Sequence, residues 1–204
     1  SFHPVKIITT AEGGVATTKS KELAQKMELL RSHGITRDSD LMTHEPDGSW
    51  YYQQITLGFN YRMTEMQAAL GVSQIKRLNT ITDRRHQLAK TYDSLLADLP
   101  VITPYQHSDG YSGLHLYVIR IETKQVQRTQ KEIFDDLRAA NIGVNLHYIP
   151  VHLQPYYQQN LGFTLGDFPE AELYYAQAIS LPMYPELSEQ EQEYVVKTLR
   201  SILI

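Results

Sequence analysis

Apolar positions along the chain fall into short periodic runs separated by polar, Gly-marked or Pro-marked breaks. The first run, Phe2 to Thr10, is apolar and β-branched; it stops at Ala11-Glu12-Gly13-Gly14 and resumes as Val15-Ala16-Thr17-Thr18. Two extended runs around a Gly-Gly pair predict a β-hairpin. Leu23, Met27 and Leu30 then recur at helical spacing behind Ser20 as a cap, with Gly34 placed for a left-handed stop. Thr64-Glu65-Met66-Gln67 is a capping box that predicts a helix to about residue 79. Leu88, Tyr92, Leu95 and Leu99 form the stripe of a second helix, ended by Pro100. Farther on, 114–122 alternates as a strand, and Thr129 with Glu132 opens a helix carrying Ile133, Leu137 and Ala140 that stops at Gly143. Residues 144–149 predict another strand. Ser188 with Glu191 caps a final helix through Val195, Leu199 and Ile202.

Strands alternating with helices place the chain in the α/β class. Residues 35–63 show no period, yet carry Trp50, Tyr51, Tyr52, Phe59 and Tyr61. A loop of that length is functional or disordered, and its aromatic content argues against disorder. The Pro-, Gly-, Ser- and Asp-rich stretch 100–113 predicts a boundary, dividing 1–99 from 100–204.

Composition narrows the partners. Hydrophobic residues make up 42% and charged residues 21% of the 204, ordinary globular usage that predicts a buried core. A net charge of −4 leaves no basic excess for a phosphate backbone, so no nucleic-acid partner is expected. No apolar run approaches the roughly 20 residues that span a bilayer. With no cysteine and no signal-like start, a cytoplasmic protein off the membrane is expected. The chain opens at Ser1 without an initiator Met, straight into a strand-like segment, which reads as a fragment or a processed product.

Lys6 is one of nine lysines, but its neighbours Phe2, Val5, Ile7 and Ile8 predict an apolar setting. Such a setting disfavours the ammonium and makes a lysine a nucleophile for carbonyl chemistry. His147 and His152 are separated by Pro150, which breaks helical register, and no Cys joins them, so no metal site is expected. On a loop after a strand they could instead contact substrate hydroxyls or phosphates. Asn60 by itself reads first as a turn or N-cap residue, and Arg62 as an ion-pair partner. The paired tyrosines 51–52, 156–157 and 174–175 suit either stacking on a base or packing in the core, and for the last two pairs packing is the expected role.

The ordered motifs carry a resemblance. Ser1-Phe2-His3-Pro4-Val5-Lys6 followed by Thr9-Thr10-Ala11-Glu12-Gly13-Gly14 is similar to the signature of the DegT/DnrJ/EryC1/StrS sugar aminotransferases. So are Leu30-Arg31-Ser32-His33-Gly34, Gly58-Phe59-Asn60-Tyr61-Arg62 and His147-Tyr148-Ile149-Pro150-Val151-His152. Ala11 departs from the family's Gly, a change expected to be tolerated only at negative φ. The resemblance implies the C-terminal part of the pyridoxal-phosphate-dependent transferase (aminotransferase type I) fold: a large-domain tail with connecting helices over 1–99 and a small domain over 100–204. It implies pyridoxal 5'-phosphate held covalently by Lys6, with Asn60 reaching the cofactor phosphate of a neighbouring subunit in a homodimer. Tyr61, Arg62, His147, Tyr148 and His152 are implied near a nucleotide sugar, which an amino-acid donor, typically glutamate, serves.

Related sugar 3-dehydratases carry His at the lysine position; Lys6 therefore points to amino transfer. The wording is most similar to transaminases of pseudaminic acid biosynthesis, which aminate C4 of a UDP-linked 4-keto-6-deoxy-N-acetylhexosamine. Perosamine and 4-amino-arabinose synthases stay open. In the family the first half supplies the ring acid and most phosphate contacts, so these residues alone are expected to be inactive. A non-catalytic interaction module with the same fold is the alternative.

Overall fold

In the computed structural model, which describes all 204 residues, the capping signals sit at helix starts as the patterns predict. The chain divides into residues 1–78 and 79–204.

In the first unit, Ser20 Oγ accepts the Leu23 amide at the head of α1 (Lys21–Arg31). Gly34, at φ 71°, ends the helix by donating its amide to Leu29 O at 2.8 Å. β1 (Ile35–Thr36) pairs antiparallel with β2 (Gln53–Gln54), and Thr64 with Gln67 closes a full capping box on α2 (Glu65–Ile75). The helix ends at Ile75 rather than near 79.

The predicted hairpin does not form. Residues 2–13 instead close into a loop through Phe2 N–H to Gly13 O (2.9 Å) and Thr10 N–H to Phe2 O (3.0 Å). Inside it, the Lys6 amide donates to His3 O across a turn whose second residue is Pro4. The ring fixes φ there and removes the amide a ladder would need. Ala11 (φ 67°) and Gly13 (φ 149°) turn the chain again.

Neither α1 nor α2 fully buries a residue, so the Leu23–Met27–Leu30 face stays open. Leu23 is 52% and Met66 83% exposed. The hydrophobic core belongs to the second unit.

There, α3 (Leu78–Leu95) leads to a three-stranded antiparallel sheet ordered β3 (Val101–Ile102), β4 (Tyr117–Ile121) and β5 (Ala178–Leu181). Tyr117, Ile119 and Ile121 alternate inward, as strand geometry requires, and Ile119 lies opposite Ile179. Capping boxes at Thr129–Glu132 and Ser188–Glu191 open α4 (Gln130–Ala139) and the C-terminal helix (Glu189–Leu203). Ile133, Leu137, Val195 and Leu199 of these helices join Leu88 and Tyr92 of α3 in one core with the strands. Full burial of each such aliphatic side chain is worth about 1.5–3 kcal/mol. The stripe of α3 lies in this core, so α3 packs with residues 79–204 although it precedes the Pro- and Gly-rich stretch 100–113.

Arg85 of α3 is buried and unusual. Its Nη1 donates to Leu114 O, His115 O and Met183 O at 3.0–3.2 Å, lacing the approach to β4 to the exit of β5. Of the strand expected over 144–149, only Asn145 pairs, with Ser180. Between them, α5 (Pro155–Leu161) and α6 (Pro169–Gln177) precede β5, and the C-terminal helix is α7.

Candidate active site

Lys6 rides the loop closed at Phe2 and Gly13. Its side chain is exposed, so the apolar enclosure predicted for it is not formed by this chain's own residues. Its Nζ makes no hydrogen bond or ion pair. The nearest pairing across the loop is His3 Nε2 to Glu12 Oε1 at 3.8 Å, both exposed and worth little. A free, accessible amine suits covalent capture of an aldehyde such as that of pyridoxal phosphate, so the residue fits the group the motifs imply.

The loop is anchored by one buried side chain, Thr10, 1% exposed. Thr10 Oγ1 donates to Glu12 O at 2.7 Å, while Thr9 Oγ1 donates to Phe2 O at 2.9 Å. Ala11 adopts φ 67°, contrary to the negative φ expected where Ala replaces Gly. An L-residue in that region costs about 1–2 kcal/mol. Ala11→Gly removes this cost but loosens the unfolded chain by about 0.4–1 kcal/mol. A net gain of about 0.5–1 kcal/mol is expected, read as a higher urea midpoint at unchanged slope.

The Gly58–Arg62 motif is locked onto the end of α1. Phe59 N–H donates to Leu30 O (2.7 Å), Tyr61 N–H to Arg31 O (3.0 Å) and His33 N–H to Phe59 O (2.8 Å). Asn60 bridges Ser32 through the backbone, has no positive φ and does not cap α2, a task Thr64 performs. Its side-chain amide is therefore exposed and uncommitted, in contrast to the turn or N-cap role it suggested alone. Arg62 is likewise exposed and makes no ion pair. The Tyr61 ring, 73% exposed, stacks on Phe59 with centroids 4.9 Å apart. Both line a groove of about 670 Å³ with Gly14–Thr18, Met27 and Leu30.

The remaining candidates belong to the second unit. His147 Nδ1 lies 2.7 Å from Ser180 Oγ, with its ring edge-on to the exposed Tyr148. His152 is only 7% exposed, its Nε2 lies 2.8 Å from Glu172 Oε1, and Phe168 packs against its ring. The Glu172 carboxylate also accepts the Gly166 amide through both oxygens. Through Glu172, His152 is thus tied to the turn at Gly166. Tyr156, 68% exposed, is not the packing residue predicted. No local signal marks Ser180 or Glu172, because each meets its histidine only after the chain has folded back.

The Glu172 carboxyl is held below its ordinary range first by His152 and then by the Gly166 amide. A depressed carboxylate pKa contributes stability above its unfolded value, near 4.3, and loses it as pH falls through the folded one. Glu172→Gln should therefore lower the thermal midpoint at neutral pH, with the gap to wild type closing below about pH 4. A gap independent of pH would sink this reading.

Comparison with known proteins runs the length of the chain. The DegT/DnrJ/EryC1/StrS aminotransferase family profile matches residues 1–200. The chain is 38% identical over 205 residues to the spore coat polysaccharide biosynthesis protein SpsC of Bacillus subtilis, covering 100% of this chain and 52% of that protein. It is 34% identical over 204 residues to a UDP-4-amino-4,6-dideoxy-N-acetyl-beta-L-altrosamine transaminase of Campylobacter jejuni, covering 100% and 51%. Helicobacter pylori PseC, an aminotransferase involved in the biosynthesis of pseudoaminic acid, superposes with TM-score 0.87 at 31% identity, over 100% of this chain and 52% of that one. Spr1654 of Streptococcus pneumoniae, solved in its pyridoxal-phosphate form, gives TM-score 0.82 at 29% identity, over 99% and 50%. The chain spans about half the length of the curated relatives it matches. On these grounds the chain belongs to the DegT/DnrJ/EryC1/StrS aminotransferase family, whose members are pyridoxal-phosphate-dependent sugar aminotransferases.

Proposed function

We propose that this chain carries the lysine-bearing part of a nucleotide-sugar aminotransferase. Residues 1–99 serve as the tail of the large cofactor domain with its connecting helices, and 100–204 as the small domain. Lys6, a free and exposed amine at the position where the related dehydratases carry His, is the observation that carries this reading. Pyridoxal phosphate, when bound, supplies the electron sink for moving an amino group. Lys6 would hold the cofactor through Nζ, and as a free amine it would move a proton at the substrate carbon. Asn60 donates its free amide to a phosphate without adding charge. Tyr61 and Arg62 present a stacking face and a fork of donors to a nucleotide diphosphate. His147 and Tyr148 contact the sugar.

The substrate best supported by the named relatives is a UDP-linked 4-keto-6-deoxy-N-acetylhexosamine, with glutamate as donor, for cell-surface sugar biosynthesis in the cytoplasm. The working unit is a homodimer with shared sites. A non-catalytic interaction module is the second reading, favoured by the open apolar side chains of residues 1–78, among them Trp50, Leu57 and Met66.

The two are separated by trapping. The chain is incubated with pyridoxal phosphate, alone and with the remaining half of the family fold supplied in trans, then reduced with borohydride, digested and weighed. A reduced adduct on the Lys6 peptide, with an absorbance band that reduction removes, supports the enzyme; amino transfer is expected only in the complemented sample. No adduct in either preparation refutes it and leaves the interaction module.

A further inference from the structure

We propose that the contact between Thr10 and Gly71 positions the lysine loop, making both residues positioning residues for the chemistry at Lys6. This rests on Lys6 as the cofactor lysine. Among residues 1–14 only Thr10 is buried. A β-carbon at Gly71, on α2, would stand 2.9 Å from Thr10 Cγ2. One at Gly13 would stand 2.5 Å from Thr10 Oγ1, so the threonine lies close against two glycines, Gly13 and Gly71. Thr10 cannot swing clear, because Oγ1 is bonded to Glu12 O and its amide to Phe2 O, the same carbonyl that Thr9 Oγ1 holds. β-Branching further restricts its χ1. The loop carrying Lys6 therefore takes its register from one small-residue notch on α2. The segment leading into that helix carries Asn60, Tyr61 and Arg62, so a single helix indexes both groups of candidates.

Helix propensity and this contact pull in opposite directions, which makes the idea testable. Gly→Ala inside a helix favours the helix. Gly71→Ala should thus leave α2 as stable or more so, while its methyl pushes Thr10 and the loop away. Thr10→Ser added to it removes Cγ2 and keeps the hydroxyl, and should restore the loop. Ser73→Ala, at an exposed position of the same helix, controls for propensity alone.

Hydrogen exchange at the Phe2 and Thr10 amides is read by NMR on the full chain, beside borohydride trapping at Lys6 in the complemented chain. Gly71→Ala is expected to speed exchange roughly tenfold or more and to slow trapping by a comparable factor. Ser73→Ala and the double variant should behave as wild type. Wild-type exchange in Gly71→Ala, or a double variant that stays impaired, overturns the proposal. Should Gly71→Ala fail to fold, recovery by Thr10→Ser alone supports the contact and its absence overturns it. Should wild type trap nothing while the exchange pattern holds, it is the cofactor role of Lys6 that falls, and with it the catalytic meaning of the contact.

Discussion

Lys6→Arg in the complemented chain is expected to abolish the borohydride-stable adduct and to lower amino transfer by at least about 10²–10⁴-fold, the ordinary worth of a positioned acid–base group. The substitution keeps the positive charge and the length of the side chain, so any role resting on charge alone survives it. What it removes is an amine that can be deprotonated: guanidinium stays protonated throughout the accessible pH range. It can neither attack a carbonyl carbon nor shuttle a proton. Because Lys6 is exposed and unpaired, no fold contact is lost, and the thermal midpoint should not move. Loss of activity with an unchanged midpoint separates a chemical lysine from a structural one. Retained transfer would place the covalent chemistry on another amine.

How much of this was readable in the chain depends on the range of each interaction. Helix starts were legible, since a Ser or Thr and a Gln or Glu three residues on satisfy each other's backbone groups locally. The faces carrying Ile133, Leu137, Val195 and Leu199 were legible for the same reason: period fixes a face, and these faces met a core. The face of Leu23, Met27 and Leu30 has the same period and no core to meet within residues 1–78, so period fixes a face without fixing its burial. The hairpin failed because β-branched composition says nothing of partners, and Pro4 had already committed the segment to a turn. β5 escaped notice because all four of its residues are buried, leaving no alternation to see. Within the site, local motif wording marks Lys6 and Asn60. The pairings that place or occupy candidates, Thr10 with Gly71 and His152 with Glu172, join distant positions and leave no local trace.

Gly34→Ala is expected to open the Asn60 segment, at a cost of about 3 kcal/mol or more. Two penalties add. At φ 71° any L-residue loses about 1–2 kcal/mol, and the new β-carbon would lie 1.9 Å from Thr56 O, a backbone atom that no rotamer change can move aside. The strand must retreat, and the bond from Ile55 N–H to Gly34 O goes with it. Gly58 meets the same wall from the other side, its β-carbon falling 2.3 Å from Gly34 N. The Leu30–Gly34 and Gly58–Arg62 segments are therefore two halves of one backbone clamp: Gly34 leaves room for Thr56, and Gly58 leaves room for the His33–Gly34 backbone. Exchange at the Phe59 and Tyr61 amides should rise by two orders of magnitude or more in Gly34→Ala, as about 3 kcal/mol of lost protection requires. Protection at Ile119 and Ile179, in the core of residues 79–204, should persist. Gly48→Ala is the contrast. Its β-carbon would first meet the Trp50 ring, itself 72% exposed and able to swing outward, so little change is expected. If Gly34→Ala were as mild as Gly48→Ala, the clamp would not be what holds Asn60, Tyr61 and Arg62 in place.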